Sequence, residues 1–254
     1  MPTKEAAHYG DRTFAQMMYA KIVSVQLVNA LGYDLLFQDV DVVWYQDPKS
    51  YFKNGSKYKQ DFDVMFQDDG NRQARYSPYY ANSGFYFVRS NDLTKYLFLS
   101  LLYSGDMVMA VGSHQQVLNA LLIEHTSLYG LKVKTLSGEE FPGGWHYHRK
   151  SKKPLMKAIA AREANNVIFH MSWTDNKDNK QKFMEQMGMW YVTDQCLDEK
   201  ALLLLYSLPS GKEAPLVNEC CSAEAIVRCH YNDKPSLIPC NSSPSIDKYG
   251  QPFW

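Results

Sequence analysis

The chain has 254 residues, 45% of them hydrophobic, and its 27 basic residues balance 27 acidic ones. That length suits one large α/β domain or two small ones, with enough apolar residues for a substantial core. The charge balance excludes the basic excess of a duplex nucleic-acid binder, and no apolar run is long enough to span a bilayer. The opening "MPTKEAAHYG" is polar and lacks the apolar segment of a signal peptide.

Phe14, Met17, Met18, Lys21, Ile22, Val25 and Val28 recur at helical spacing and predict an amphipathic helix ending near Gly32. A strand over 35–37 follows and closes at Asp39, and "DPKSYF" (47–52) reads as a turn and short helix. "DVMFQDD" (63–69) predicts a second buried strand ending in Asp68 and Asp69, before a polar, Tyr-rich loop over 70–82. "GFYFVR" (84–89) predicts a strand, after which Asn91 caps a helix reaching about 104 and Ser113 caps another. "LKVKTL" (131–136) reads as a strand, 154–164 as a helix, and "NVIFH" (166–170) as a last strand that delivers His170. "KQKFMEQMGMWYV" (180–192) is helical, and no internal repeat is present. Strands alternating with helices predict an α/β fold with a mainly parallel sheet flanked by helices.

All five cysteines, Cys196, Cys220, Cys221, Cys229 and Cys240, lie in the last quarter, in a Cys/Pro-rich stretch. The adjacent Cys220 and Cys221 fit no zinc spacing, whereas four of the five can form two disulfides in an oxidising compartment. The expected organisation is a domain over 1–206 with a 207–254 extension packed on it. Few periodic apolar residues occur in that extension, which predicts a tail held by disulfides rather than by its own core. Cys229 and Cys240 are far enough apart to bridge loops, and which of Cys196, Cys220 and Cys221 joins them is open. Asn54 and Asn241 head N-x-S triplets usable in the same compartment.

The chemistry concentrates in "LLFQDVDVVWY" (35–45), where Asp39 and Asp41 interrupt an apolar run at i and i+2. Ligands of open α/β sheets bind at the carboxyl ends of strands. Asp39 and Asp41, Asp68 and Asp69, and His170 all fall at such ends. Two carboxylates and an imidazole suit Mn²⁺ or Mg²⁺ with open positions, the usual means of neutralising a diphosphate. A capping or turn pair is the competing reading, and the apolar flanks with Trp44 weigh against it.

"LGYDLLFQDVDVVWYQDPKSYF", "NSGFYFVRSN", "HQQVLNALL", "FPGGWHYH" and "IFHMSW" with a following lysine occur in this order. The series resembles the nucleotide-diphospho-sugar transferase domain of plant and algal glycosyltransferase family 77, over about residues 10–195. The resemblance implies a GT-A-like, Rossmann-like fold and metal-dependent transfer, with retention, from a UDP-sugar to a glycan or glycoprotein hydroxyl. It also implies Mn²⁺ or Mg²⁺ as cofactor and a Golgi setting in glycan or cell-wall biosynthesis.

Carried over by the resemblance, Asp39 and Asp41 match the family's DxD, and His170 completes the metal shell. Asp39 also meets the donor, whose diphosphate falls to Lys177, with Lys180 as alternative. Asn82, Ser83 and Gly84 match the turn facing the donor sugar, with Asp68 nearby. Gln115 and Asn119, four apart on one helix face, match a catalytic Gln…Asn pair. Tyr79, Tyr80, Trp145 and His146 are the candidate acceptor groove, while Trp44, Trp173 and Trp190 are expected in the core. His114 stands where the family carries an acid, and Asp106 is the nearest upstream carboxylate. The resemblance also implies a nucleobase-gripping first strand and a Golgi anchor upstream of the first helix. Neither is in this sequence, so the domain is expected to be N-terminally incomplete, with membrane attachment only through an upstream anchor. Two other readings remain: a degenerate, non-catalytic sugar-binding or assembly module, and a haloacid-dehalogenase-type phosphatase using DxDx[TV]. The second lacks a late acidic pair.

Overall fold

Asp11 opens the first helix by accepting a hydrogen bond from the Phe14 N–H, and α1 then runs Arg12–Ala30. The computed structural model describes residues 6, 9–47, 49–52, 61–174, 176–194 and 221–241. The chain divides into two compact units, residues 1–148 with 165–176, and residues 149–164 with 177–254. The boundary expected near 207 lies outside the described residues.

In the first unit, α1 is followed by β1 (Leu35–Gln38), β2 (Val42–Trp44), the one-turn α2 (Lys49–Phe52) and β3 (Val64–Asp68). Then come β4 (Ala81–Val88), α3 (Asp92–Tyr103), α4 (Gly105–Val111), α5 (His114–Tyr129), β5 (Val133–Thr135), α6 (Gly144–Tyr147) and later β6 (Ile168–His170). The buried face of α1 is Ala15, Met18, Ile22, Val25 and Asn29, while Met17 and Val28 face solvent. Asn91 and Thr94 form a reciprocal capping box at the start of α3, and the Ser113 side chain caps α5.

The main sheet has the order β1-β4-β3-β5, and β2 pairs with β6 in a second, two-stranded sheet. The expectation of a mainly parallel sheet is corrected. Among the described residues of this sheet, β1 with β4 and β3 with β4 are antiparallel, and only β3 with β5 is parallel. The reason lies in the connections. Residues 69–80, between β3 and β4, contain no α-helix to carry a crossover, so β4 returns alongside β3. From β4 the chain passes through α3, α4 and α5, and this long crossover delivers β5 parallel to β3.

Successive strand residues point to opposite faces, and both faces of this sheet are covered. Phe66, Tyr86 and Val88 pack with Ile22, Val25, Leu97, Leu101, Leu118 and Leu122 from the helices. Met65, Phe85 and Phe87 pack with Phe141, Val167 and Ile168, flanked by Trp44 and Phe52. Burial on two sides is why β3 and β4 read as continuous apolar runs rather than alternating ones.

The second unit contains α7 (Lys153–Ala160), α8 (Lys177–Gln186) and the segment 221–241. Cys229 and Cys240 are bonded to each other, and Cys221 is free and exposed. Cys196, Cys220 and Asn54 lie outside the described residues. The disulfide is not the only hold on this segment. Glu185 of α8, 2% exposed, pairs with Arg228 at 3.2 Å and His230 at 2.6 Å. The Gln186 side chain accepts from the N–H groups of His230 and Tyr231 and donates to the Pro235 carbonyl. Two buried polar side chains of α8 thus grip the segment that was expected to depend on disulfides.

Candidate active site

The two acids of "QDVD" sit where the chain changes sheets. β1 ends at Gln38, and Val42 begins the pairing with His170 in the second sheet. The Asp39 N–H donates to the Gly84 carbonyl at 2.7 Å, and the Asp41 carbonyl accepts from the Met171 N–H at 3.0 Å. One acid is therefore tied to each sheet, and the turn at Val40 folds both toward β6. Ligand atoms of Asp39, Asp41 and His170 all lie within 4.8 Å of one another, and Asp41 and His170 are buried. His170 Nε2 is 3.4 Å from Asp41 Oδ1.

The tautomer of His170 follows from its neighbour Gln67. The Gln67 amide nitrogen donates to the carbonyls of Phe141 and Pro142 at 3.0 and 3.1 Å, which orients its oxygen toward the ring. That oxygen can only accept, so His170 Nδ1, 2.7 Å away, carries the hydrogen. In the neutral ring Nε2 then carries the lone pair, facing the acids, and that is the form that ligates a divalent ion. The cluster therefore fits such an ion in its donor set, its ring orientation and its burial.

Gly84 explains how β4 reaches this cluster. Between Phe66 and Gln67 the β3–β4 register jumps from Tyr86 to Asn82, so β4 bows away from β3 over residues 83–85. The bow brings Gly84 so near that a Cβ there would lie 2.6 Å from Asp39 Oδ2 and from His170 Cε1. The loop "FPGGWHYH" closes the other side. Gly143 bridges to His170, and a Cβ on Gly144 would collide with the Ser172 carbonyl.

Beside the cluster lies a second network. Asn82 donates to Asp69 at 2.8 Å and accepts from the Gly84 N–H at 2.7 Å. Gln115 accepts from the N–H and hydroxyl of Ser83, and its side chain also bonds Asp69. Burial pushes the Asp69 carboxyl up from its usual range, and the hydrogen bonds from Asn82 and Gln115 oppose that rise. Backbone contacts hold Asp69 on both sides: its N–H donates to the Tyr80 carbonyl, and the Trp173 indole donates to its own carbonyl, each at 2.8 Å. Tyr80 and Trp173 both adopt left-handed backbone conformations, at φ 51° and 60°, strained geometry for aromatic residues that concentrates at functional sites.

Asp39, Asp41, His170, Asn82, Ser83, Gly84 and Gln115 are thus brought together. The other expected residues have the following surroundings. Asp68 pairs with Arg72 and accepts from the Gly70 N–H, and it is Asp69 that bonds Asn82 and Gln115. Asn119 uses its whole amide on the Ala81 backbone and the Gln115 carbonyl, latching α5 to β4. Tyr79 packs on the helical core with its hydroxyl on Thr126, and His146 is buried, accepting from the Gly143 N–H. Trp145 is partly buried over Gly70, while Trp173, expected in the core, is 40% exposed. Lys177 and Lys180 belong to α8 in the second unit. His114 supplies no carboxylate, and burial, reinforced by Lys21, pushes its pKa down to about 3. Asp106 is exposed in the first turn of α4.

The sequence does not single out Gln67 and Lys21 as site residues, and it marks Asp69 only as one of two strand-end acids. Lys21 Nζ lies 2.6 Å from Asp39 Oδ1. The only signals for them were a polar residue inside a buried strand, the second of two adjacent acids, and a lysine on an apolar helical stripe.

Residues 1–184 match the model of a family described as nucleotide-diphospho-sugar transferase, and the chain belongs to that family. It is 26% identical over 216 residues to a UDP-galactose:fucoside alpha-3-galactosyltransferase of Dictyostelium discoideum, covering 77% of this chain and 31% of that protein. It is 25% identical over 213 residues to UDP-D-xylose:L-fucose alpha-1,3-D-xylosyltransferase 3 of Arabidopsis thaliana, covering 76% of this chain and 52% of that protein. A beta-arabinofuranosyltransferase of Arabidopsis thaliana is 24% identical over 196 residues, with 72% and 35% covered. The chain spans between about a third and about half of the length of these three relatives. No solved structure gives a significant match.

Proposed function

We propose that this chain carries the donor-binding and catalytic part of a metal-dependent glycosyltransferase, moving a sugar with retention from a UDP-sugar to a glycan or glycoprotein hydroxyl. The observation that carries the reading is the convergence of Asp39, Asp41 and His170 Nε2 at the switch between two sheets, with His170 Nδ1 turned to Gln67. The family match and the names of the relatives support the donor class and the reaction type. Mn²⁺ or Mg²⁺ bound there would stabilise charge on the departing diphosphate. Asn82, Ser83 and Gly84 would present backbone to the donor sugar. Asp69 would answer positive charge developing on that sugar, because a buried carboxylate gains most from a cation arriving beside it. Gln115 then acts as a positioning residue, holding Ser83 and Asp69 together, and Tyr80 and Trp173 hold the backbone of the acid. The setting proposed is the secretory pathway, the Golgi lumen in particular.

The test is calorimetric titration of UDP with Mn²⁺ and with excess chelator, for the natural chain and for Asp41→Ala. The expected result is UDP binding that requires Mn²⁺ and is lost in the variant while the metal-free melting temperature holds. Equal UDP affinity with Mn²⁺ and with chelator overturns the reading.

A further inference from the structure

The second unit carries a concentration of charge that the metal cluster does not use. The stretch "RKSKKPLMKAIAAR" (149–162) holds six basic residues and no acid, in a chain with equal numbers of basic and acidic residues. It begins the second unit and runs through α7. Beside α7 lies a pocket of about 300 Å³, lined by Lys157, Ala161, Lys234, Pro235, Ser236 and Leu237. Lys157 is exposed, Lys234 is 4% exposed, and no carboxylate lines the pocket. One wall is fixed to α8. The fully buried Gln186 donates from its side chain to the Pro235 carbonyl, and its own carbonyl accepts from the Leu237 N–H, each at 3.0 Å. Leu237 rests on Gly188, where a Cβ would lie 2.6 Å from its Cδ2. The Cys229–Cys240 bond closes the loop that contains this wall. The pocket is therefore built before any ligand arrives, which spares a ligand the cost of ordering it.

The lining combines two kinds of surface. Lys157 and Lys234 bring positive charge, which selects an anion. Ala161, Pro235 and Leu237 bring apolar surface, which suits the C–H face of a ring. The volume is at the lower end for ligand pockets and suits a single ring-sized group. A bilayer or a duplex would meet basic residues on a level or convex surface, whereas this concave site receives one residue of a chain. We propose that the pocket is a subsite for an anionic sugar residue, carboxylated or sulfated, of the glycan on which this protein acts. The basic run around α7 draws that polyanion in. The inference rests on the glycosyltransferase reading for the acceptor being a glycan, and adds that this glycan is acidic. Asp39, Asp41 and His170 all belong to the first unit, so glycan binding and UDP binding can be measured apart.

The natural chain is titrated calorimetrically with a galacturonate hexasaccharide, a sulfated galactose hexasaccharide, an uncharged galactose hexasaccharide and phosphatidylserine vesicles. One or both acidic oligosaccharides should bind, more weakly as salt is raised, and the one that binds tells carboxylate from sulfate. The uncharged oligosaccharide and the vesicles should not bind. Lys157→Met should weaken acidic binding about tenfold, the loss of one charged hydrogen bond. Ala161→Phe fills the pocket and leaves every charge in place, and it should weaken binding at least as much. If that variant does not melt cooperatively, Ala161→Leu carries the same expectation. Lys150→Met, in the same basic run but outside the lining, should change affinity by about twofold or less, as for an exposed charge. Mn²⁺-dependent UDP binding should stay natural in all these variants. Equal losses in Lys150→Met and Lys157→Met with no effect of filling the pocket would show general attraction of polyanions and overturn the proposal. Equal affinity for the uncharged oligosaccharide, vesicle binding without acidic oligosaccharide binding, no binding of either acidic probe, or loss of UDP binding in Lys157→Met also overturns it. Acidic oligosaccharide binding in a natural chain that shows no Mn²⁺-dependent UDP binding overturns the metal-dependent reading and leaves the subsite standing.

Discussion

Replacing Gly84 with alanine puts one methyl group between two of the proposed metal ligands. Its carbon would lie 2.6 Å from Asp39 Oδ2 and from His170 Cε1, and 3.1 Å from Asn82 Oδ1. None of these neighbours yields easily. The Asp39 N–H is bonded to Gly84 itself, His170 Nδ1 to Gln67, and Asn82 to Asp69. Reaching a tolerable 3.0 Å needs a retreat of about 0.4 Å, about twice the ~0.2 Å by which metal–ligand distances vary. Overpacking by one methyl costs about 1–3 kcal/mol, and the stiffer unfolded chain offsets about 0.4–1 kcal/mol of that. Gly84 has no left-handed backbone strain to add. The net loss is about 1–2 kcal/mol, which lowers the melting temperature of a chain this size by roughly 2–8 °C. Mn²⁺ affinity should fall further, by at least about tenfold, because Asp39 and His170 are pushed apart at the centre of the site. Differential scanning calorimetry of metal-free protein gives the first quantity, and Mn²⁺ titration in the presence of UDP gives the second. A Gly84→Ala chain that binds Mn²⁺ with natural affinity refutes the convergence of these ligands on one ion.

Gln67→Leu should weaken Mn²⁺ binding by about 10–100-fold, because His170 loses the partner that fixes its tautomer and ring orientation. It should also lose about 1–3 kcal/mol of stability, since the Phe141 and Pro142 carbonyls lose their buried donor. Natural Mn²⁺ affinity in a folded Gln67→Leu chain would show that the imidazole is held by other means. Asp69 gives a pH signature. Burial raises its folded pKa above the ordinary value of 3.8, so the native chain holds a proton that the unfolded chain has released, and stability falls as pH rises through that window. Asp69→Asn should flatten that decline in urea denaturation measured upward from pH 4, and a slope identical to the natural chain contradicts the buried-acid assignment. The Cys229–Cys240 bond closes a short loop and should stabilise the folded segment by about 3 kcal/mol. Non-reducing peptide mapping should recover that cross-link and an alkylated Cys221, and alkylated Cys229 would contradict the pairing.

What could be read from residue order alone was the set of strand-end groups. Asp39 and Asp41 stood out because two carboxylates inside an apolar run need partners, and His170 because it closes a buried strand. Helix starts at Asn91 and Ser113 were legible for the same local reason, since a cap acts within one turn of itself. The parallel sheet was misjudged because strand direction depends on what each connection can span, not on the strands' own residues. Gln67 escaped notice because its partner lies 103 positions away and its facing depends on a register jump in β4. The choice of Asp69 over Asp68 was equally invisible: adjacent strand-end acids look alike until Arg72 takes one and the fold buries the other. Lys21 passed as one member of a helical stripe, and only the packing of α1 against the strand ends placed its ammonium on Asp39. Chemistry carried by residue type and short spacing is written along the chain. Chemistry carried by orientation, tautomer and charge balance arises only when distant segments close on one another.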